Sequence, residues 1–272
     1  LFRSLDTLIQ SMQACIHDVK SWMTTNKLKL NDEKTEVMIV SSPRTSTSLQ
    51  VPDSIIIGNS SVAFSDCVKN LGVSLDSHLT MHSHVINVIR SINFELRRIG
   101  SIRHLLSYKT TQTLVSAFIL SRLDYCSSLL FGCPQYLLNR LQKVQNNAAR
   151  LVLRVRKSDH ITPHLHSLHW LPVDSRIRYK IACLSYAAVS QTGPSYLTDL
   201  IHPYTPTRTL RSSADTSILT KPRVNTKSFG ERAFSFSAPL VWNSLPVNLR
   251  NSNSTASFRS SLKTHLFTQA YQ

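Results

Sequence analysis

The hydrophobic residues of this chain change their spacing near Thr80, and that change limits it to a mixed fold. Before it, Leu71, Val73 and Leu75 alternate with Gly72, Ser74 and Asp76, the period expected of one half-buried strand from Val68 to Asp76. After it, Val85, Val88, Ile89, Ile92, Leu96 and Ile99 recur at helical steps, as do Leu114, Val115, Phe118, Ile119 and Leu123. A third row, Leu137, Leu141, Val144, Ala148, Leu151 and Val155, predicts another helix. Beside that row, about 100° around the helix, run Arg140, Lys143, Asn147, Arg150 and Arg154. One stripe is suited to packing, the other to following a phosphate backbone, although long cationic side chains also cover apolar edges on ordinary surface helices.

The first eighty residues read differently. Leu5, Leu8, Ile9, Met12, Cys15, Ile16, Val19, Trp22 and Met23 mark the packed face of a helix whose other face carries Asp6, Gln10, Gln13 and Lys20. Val37 to Val40 is an apolar run suited to a strand covered on both sides. Ile55-Ile56-Ile57 and Val62-Ala63-Phe64, joined by Gly58-Asn59-Ser60, read as a hairpin. The expected class is α+β: residues 1–78 place a helix on a small antiparallel sheet, 79–157 form a helical bundle, and 158–272 form a mostly helical extension. A Ser/Thr/Pro-rich stretch from Pro203 to Thr226 is expected to split that extension. Phe229, Phe234, Phe236 and Trp242 then serve as core aromatics or, alternatively, as stacking platforms for bases.

Charge narrows the function. Residues 1–80 hold seven Lys/Arg against eight Asp/Glu, whereas residues 81–272 hold twenty-four against seven, so the whole net charge of +16 lies after the spacing change. Between Arg90 and Lys157 twelve cations face only Glu95 and Asp124. Such a field favours a polyanion, because cations that neutralise phosphates release condensed counterions; a solvated basic surface is the competing explanation.

Other classes find less support. With 272 residues and 42% hydrophobic content a real core is within reach, but six glycines make no phosphate-cradling loop. The sequence shows no initiator methionine, no charged-then-apolar leader and no apolar run of membrane-spanning length, so an intracellular protein without membrane partners is expected. Cys15, Cys67, Cys126, Cys133 and Cys183, odd in number and widely spaced, read as core thiols in a reducing compartment. His160, His164, His166 and His169 invite a metal, but Pro163 interrupts the helix that would align them and no thiolate or carboxylate completes a tetrahedral set.

Several strings resemble one family. A helix ending near Asn26, a polar turn and a lysine leading into an apolar run, with Asn31, Lys34 and Thr35 filling Asn-x-x-Lys-Thr, resembles the palm motif lettered D of LINE-type (non-LTR) retrotransposon reverse transcriptases. Lys69 to Asp76 resembles their motif E, the primer grip, some 35 residues later. Ile161-Thr162-Pro163, Leu168-His169-Trp170-Leu171-Pro172-Val173, Ala238 to Pro246 and Phe258 to Phe267 resemble the post-thumb region of the chicken-repeat group. The resemblance covers essentially the whole chain. It implies a partial polymerase palm, a thumb over 79–157 and an extension, with the chain beginning after the Tyr-x-Asp-Asp turn that holds the catalytic aspartates.

What the resemblance implies can be assigned by residue. Lys34 would have an auxiliary catalytic role near the incoming triphosphate, Leu71, Gly72 and Val73 would present the primer end, and Arg90, Arg97, Arg140, Lys143, Asn147, Arg150 and Arg154 would hold an RNA template with its DNA primer, or a duplex. The complete enzyme would use Mg²⁺ and work in the cytoplasm and nucleus. This chain by itself carries no carboxylate pair arranged for two-metal phosphoryl transfer, since Asp32 and Glu33 are adjacent and Asp53, Asp66 and Asp76 isolated. It is therefore expected to grip nucleic acid without polymerising. The alternative is a domesticated, non-catalytic nucleic-acid-binding or assembly module.

Overall fold

The computed structural model describes residues 5–31, 34–46, 51–57, 60–205, 217–226 and 229–272. It is a mixture of helices and two small antiparallel sheets, as the change of spacing predicts, and it divides into two compact units, Leu1–His84 and Val85–Gln272.

In the first unit, helix α1 (Leu5–Thr25) ends in a Schellman turn: Lys27 takes a left-handed φ of 62°, and the Leu28 N–H bonds the Met23 carbonyl at 2.8 Å. A single helical turn, α2 (Pro43–Ser46), follows, with the Ser42 hydroxyl accepting the Thr45 N–H at 3.1 Å. Strands β1 (Ser54–Ile57) and β2 (Ser60–Ala63) pair antiparallel, as expected, while their Gly58-Asn59 turn lies outside the described residues. Val37, Ile55 and Ile57 form the small core of this unit, and Ile9, Met12, Ile16, Val62 and Phe64 pack on it. Full burial of an aliphatic side chain such as Ile57 contributes about 1.5–3 kcal/mol.

Three local expectations need correction here. Val37 to Val40 is not a strand: only Val37 pairs, in an isolated bridge to Phe64, and Val40 is exposed because no neighbouring strand continues beside it among the described residues. No residue of helix α1 is fully buried: Ile9, Met12 and Ile16 are partly covered, Leu8, Val19 and Trp22 stand in solvent, and Gln13, placed on the polar face by spacing, donates to the Ile56 carbonyl at 2.9 Å. Val68 to Asp76 is a hairpin rather than one strand: β3 (Cys67–Asn70) pairs with β4 (Val73–Asp76) across a two-residue turn. In that turn both Leu71 (φ 46°) and Gly72 (φ 83°) are left-handed, the conformation that matches the twist of tight hairpins. Residues that share a face change parity across the turn, Val68 opposite Leu75 and Asn70 opposite Val73, so the Leu71-Val73-Leu75 alternation describes only the turn and β4.

Asp76 closes this unit by accepting the Thr80 N–H at 2.8 Å and the Met81 N–H at 2.9 Å, which caps the start of α3 (His82–Ser101).

In the second unit, α3 continues into a short 3₁₀ turn and then α4 (Tyr108–Val115), capped by the Ser107 hydroxyl. The chain passes through a π turn (Ser116–Leu120) into α5 (Ser121–Asp124). That turn is marked by the Ser121 N–H bonding to the Ser116 carbonyl, an i→i+5 step. The wider turn corrects the predicted packed face: Ile119, Leu120 and Leu123 are buried, and Phe118 is exposed.

Helix α6 (Gln135–Leu153) lies at the centre, touching α4, the π turn, α7 (Thr162–Ser167) and α8 (Val173–Val189). Its buried surface, with Leu138, Gln145, Ala149 and Val152 beside the expected stripe, is correspondingly wider than one seam. Pro163 sits in the first turn of α7, where its missing N–H costs nothing.

The remainder comprises α9 (Ser195–Thr198), α10 (Phe234–Asn243), α11 (Val247–Arg250) and α12 (Thr255–Tyr271). Helices α10 and α12 pack on α8 around Trp242, Phe258 and Tyr186; Tyr186 stacks on Phe258 with ring centres 4.3 Å apart and donates to the Ser252 carbonyl at 2.8 Å. Trp242 and Phe236 are thus core aromatics, whereas Phe229 and Phe234 are half-buried.

Two further expectations change. The described ends of the Pro203 to Thr226 stretch do not split this unit: Pro203 bridges Leu219, the Trp242 indole donates to the Ser217 carbonyl at 2.7 Å, and Asn243 exchanges two hydrogen bonds with the Leu219 backbone. The cysteines are all free, but Cys15 and Cys67 are exposed, and only Cys133 is a buried core thiol.

Candidate nucleic-acid interface

The predicted basic residues fall into two groups once their partners are known. Arg97, Arg140 and Lys143 are exposed and, among the described residues, have neither an ion pair nor a hydrogen-bond partner. Arg90 is also exposed and donates to Asn87 at 3.2 Å.

Arg97 on α3 and Asn147 on α6 line one groove of about 320 Å³, together with Asn93, Leu96 and Leu151. Leu96 and Leu151 give this groove an apolar lining. Gly100 lies near Leu151, where a Cβ would meet a Leu151 methyl at 4.0 Å, an ordinary contact, so the position does not require glycine. The amides of Asn93 and Asn147 supply donors and acceptors beside the Arg97 cation, a combination suited to phosphate and sugar oxygens.

Arg150 and Arg154 behave otherwise. Arg150 donates to the carbonyls of Arg156 at 3.3 Å and Asp159 at 3.1 Å, and Arg154 donates to the Arg103 carbonyl at 2.9 Å. Arg103 in turn donates to the carbonyls of Leu151 (2.9 Å), Val152 (2.8 Å) and Leu106 (2.8 Å). The last turn of α6 leaves carbonyls without helical partners, and the Arg103 guanidinium satisfies those of Leu151 and Val152 while opposing the negative end of the helix dipole. Arg103 was missed by spacing alone. Nothing in the spacing signals this contact, because Arg103 lies 48 residues before the Leu151 carbonyl it meets.

The two acids of the basic segment are committed as well. Glu95 is buried and pairs with Arg122 at 3.2 Å and Arg98 at 3.4 Å, and Asp124 pairs with Arg176 at 2.8 Å. Neither is left to oppose Arg97, Arg140 or Lys143.

In the first unit, Asn31 organises the Asn-x-x-Lys-Thr element. Its Oδ1 accepts the Lys34 N–H at 3.2 Å and its carbonyl accepts the Thr35 hydroxyl at 3.0 Å, so Asn31 and Thr35 build a turn. The Lys34 ammonium is exposed at that turn, with no partner among the described residues. Leu71, at the hairpin tip, is 84% exposed. A bulky left-handed residue offered to solvent is a strained arrangement of the kind found where backbones meet ligands. Gly72 and Val73 lie beside it, Val73 buried in β4.

Among the described residues no group of three His, Cys, Asp or Glu side chains could hold a metal ion. His166 and His169 instead pack against Phe267 with tilted rings, centres 5.0 and 5.4 Å apart, and tie the Leu168-His169-Trp170 loop to α12. No helix among the described residues is long and apolar enough to cross a membrane. No family model, curated protein or solved structure matches the chain.

Proposed function

We propose that this chain is the template–primer-gripping part of a LINE-type RNA-directed DNA polymerase, and that the face carrying Arg97, Asn147, Arg140 and Lys143 holds a nucleic-acid duplex through its backbone. The observation that carries the reading is the Arg97 cation in a groove lined by Asn93 and Asn147, with Arg140 and Lys143 unpaired on the same helix as Asn147 and with Glu95 and Asp124, the two acids of the basic segment, already paired. Contacts of this kind reach phosphate and sugar and give grip without sequence choice. The motif resemblance supplies the polymerase context, within which Leu71 and Gly72 would meet the primer end. Lys34 would stand beside the triphosphate, where an ammonium offsets developing charge.

The acids of the described residues do not fit the Mg²⁺ pair of such an enzyme, since no three of the His, Cys, Asp and Glu side chains there are grouped to hold a metal and Asp76 is spent on capping α3. Grip, and not bond formation, is the role assigned to this chain. Two experiments test the reading. Binding to RNA–DNA hybrids of scrambled sequence should be equal within about twofold and weaken together in Arg97→Gln/Arg140→Gln/Lys143→Gln; strong sequence preference, or unchanged binding by the folded variant, would refute it. In a polymerase containing a complete palm, Lys34→Leu should slow incorporation with hybrid binding intact, and equal rates would remove Lys34 from the mechanism.

A further inference from the structure

A second concavity lies elsewhere in the helical unit, bounded by the π turn, the loop before α8, α8 itself and α12. Its volume of 460 Å³ falls within the range of small-molecule sites. Two exposed ammonium groups stand at it, Lys180 from α8 and Lys263 from α12, and neither has a partner among the described residues.

Asp124 is the one carboxylate lining this pocket, and its charge is already matched: Arg176 Nη1 lies 2.8 Å from both carboxylate oxygens, while Nε is spent on the Leu171 carbonyl at 2.9 Å. The pocket therefore has two uncompensated positive charges.

Ser127 is the informative residue. It is 2% exposed, it lines the pocket, and its hydroxyl has no hydrogen-bond partner among the described residues. Its oxygen is not among the sealed side-chain atoms left without a partner, so it faces the pocket space and not closed protein. A ligand oxygen reaching the floor would satisfy it. Leu120, Leu168 and Leu171 supply a buried apolar wall beside these groups. The wall includes part of the π turn, a departure from helical geometry that recurs at functional sites.

We propose that this pocket binds a phosphate monoester carried on a planar ring system, of nucleoside monophosphate size, with the phosphate held by Lys180, Lys263 and the Ser127 hydroxyl and the ring against the leucine wall. The inference does not rest on the duplex reading, because no residue of the α3–α6 groove takes part.

Calorimetric titration of the full chain with AMP, with adenosine as the uncharged control, tests it. AMP should bind and adenosine should not. Lys180→Gln/Lys263→Gln, which alters only exposed side chains, should raise the AMP Kd at least about tenfold. Ser127→Ala should raise it by about three- to tenfold while leaving the melting temperature unchanged, since the hydroxyl removed has no partner to lose; a merely structural serine would shift the melting temperature instead. An absence of saturation up to about 10 mM AMP, the range of a negligible affinity, or equal Kd values in the folded double variant, would overturn the proposal. The source of the monoester is separated by comparing 5′-phosphorylated with 5′-hydroxyl oligonucleotides in the Arg97→Gln/Arg140→Gln/Lys143→Gln background. Preference for the phosphorylated end, lost in Lys180→Gln/Lys263→Gln, assigns the pocket to a strand terminus; AMP binding without that preference assigns it to a free nucleotide, and both results support the site.

Discussion

Arg154 donates to the backbone carbonyl of Arg103 at 2.9 Å, and the Arg103 guanidinium returns to the end of the same helix, bonding Leu151 and Val152. Two arginines thereby close α6 in place of a glycine, with Arg154 itself left-handed at the cap. Removing Arg103 strands carbonyls that no other side chain among the described residues reaches, so Arg103→Met should destabilise the helical unit by about 1.5–3 kcal/mol in chemical denaturation. Arg154→Ala should cost less and leave the salt dependence of nucleic-acid binding within about half a unit of the wild-type slope. A full-unit drop for Arg154→Ala would return it to the phosphate-contacting set.

The Leu71-Gly72 turn gives a test of opposite sign. Asparagine tolerates the left-handed conformation that costs a leucine about 1–2 kcal/mol, and Leu71 has little burial to lose. Leu71→Asn should therefore raise the stability of the first unit by about 0.5–1 kcal/mol, and Gly72→Val should lower it by at least about 1 kcal/mol. If Leu71 meets the primer, the stabilised variant will bind hybrid more weakly; equal binding would confine the residue to the turn.

His84 makes stability depend on pH. Burial holds its imidazole below the ordinary value of 6.5, and Nδ1 faces the Ser74 N–H at 3.5 Å, a contact that requires the unprotonated nitrogen. With the folded value lower than the unfolded one, the unfolded state binds more protons between them. The contribution is fully present above 6.5 and is lost as pH falls through the folded value. His84→Gln should flatten the melting-temperature profile below pH 6.5, measured by circular dichroism. An identical profile in wild type and variant would show that His84 does not titrate on unfolding.

Much of this architecture was legible because helical spacing is a strong signal over long segments: the rows from Val85 to Ile99 and from Leu137 to Leu151 fall on α3 and α6. Period two was less informative. It could not separate one strand from a hairpin at Leu71-Gly72, and an apolar run at Val37 could not reveal that no strand would continue beside it. The candidate site was legible in composition but not in partners. Spacing placed Arg140, Arg150 and Arg154 on one stripe, yet Arg150 and Arg154 donate to carbonyls of Arg156, Asp159 and Arg103, outside α6, whose positions depend on tertiary packing. Trp242-Asn243 read as part of a string, and only the fold shows the pair anchoring residues 217–219.

The central claim is that Arg97, Arg140 and Lys143 neutralise phosphates of a bound duplex. The direct measurement is the slope of log Kobs against log salt for a fixed RNA–DNA hybrid, in wild type and in each single glutamine variant, with folding checked by circular dichroism. Each phosphate contact contributes about 0.9 to that slope on duplex DNA, so each variant should reduce its magnitude by about one unit and the triple variant by about three. A triple variant that stays folded and keeps the wild-type slope would contradict the account and leave these three cations as a solvated face.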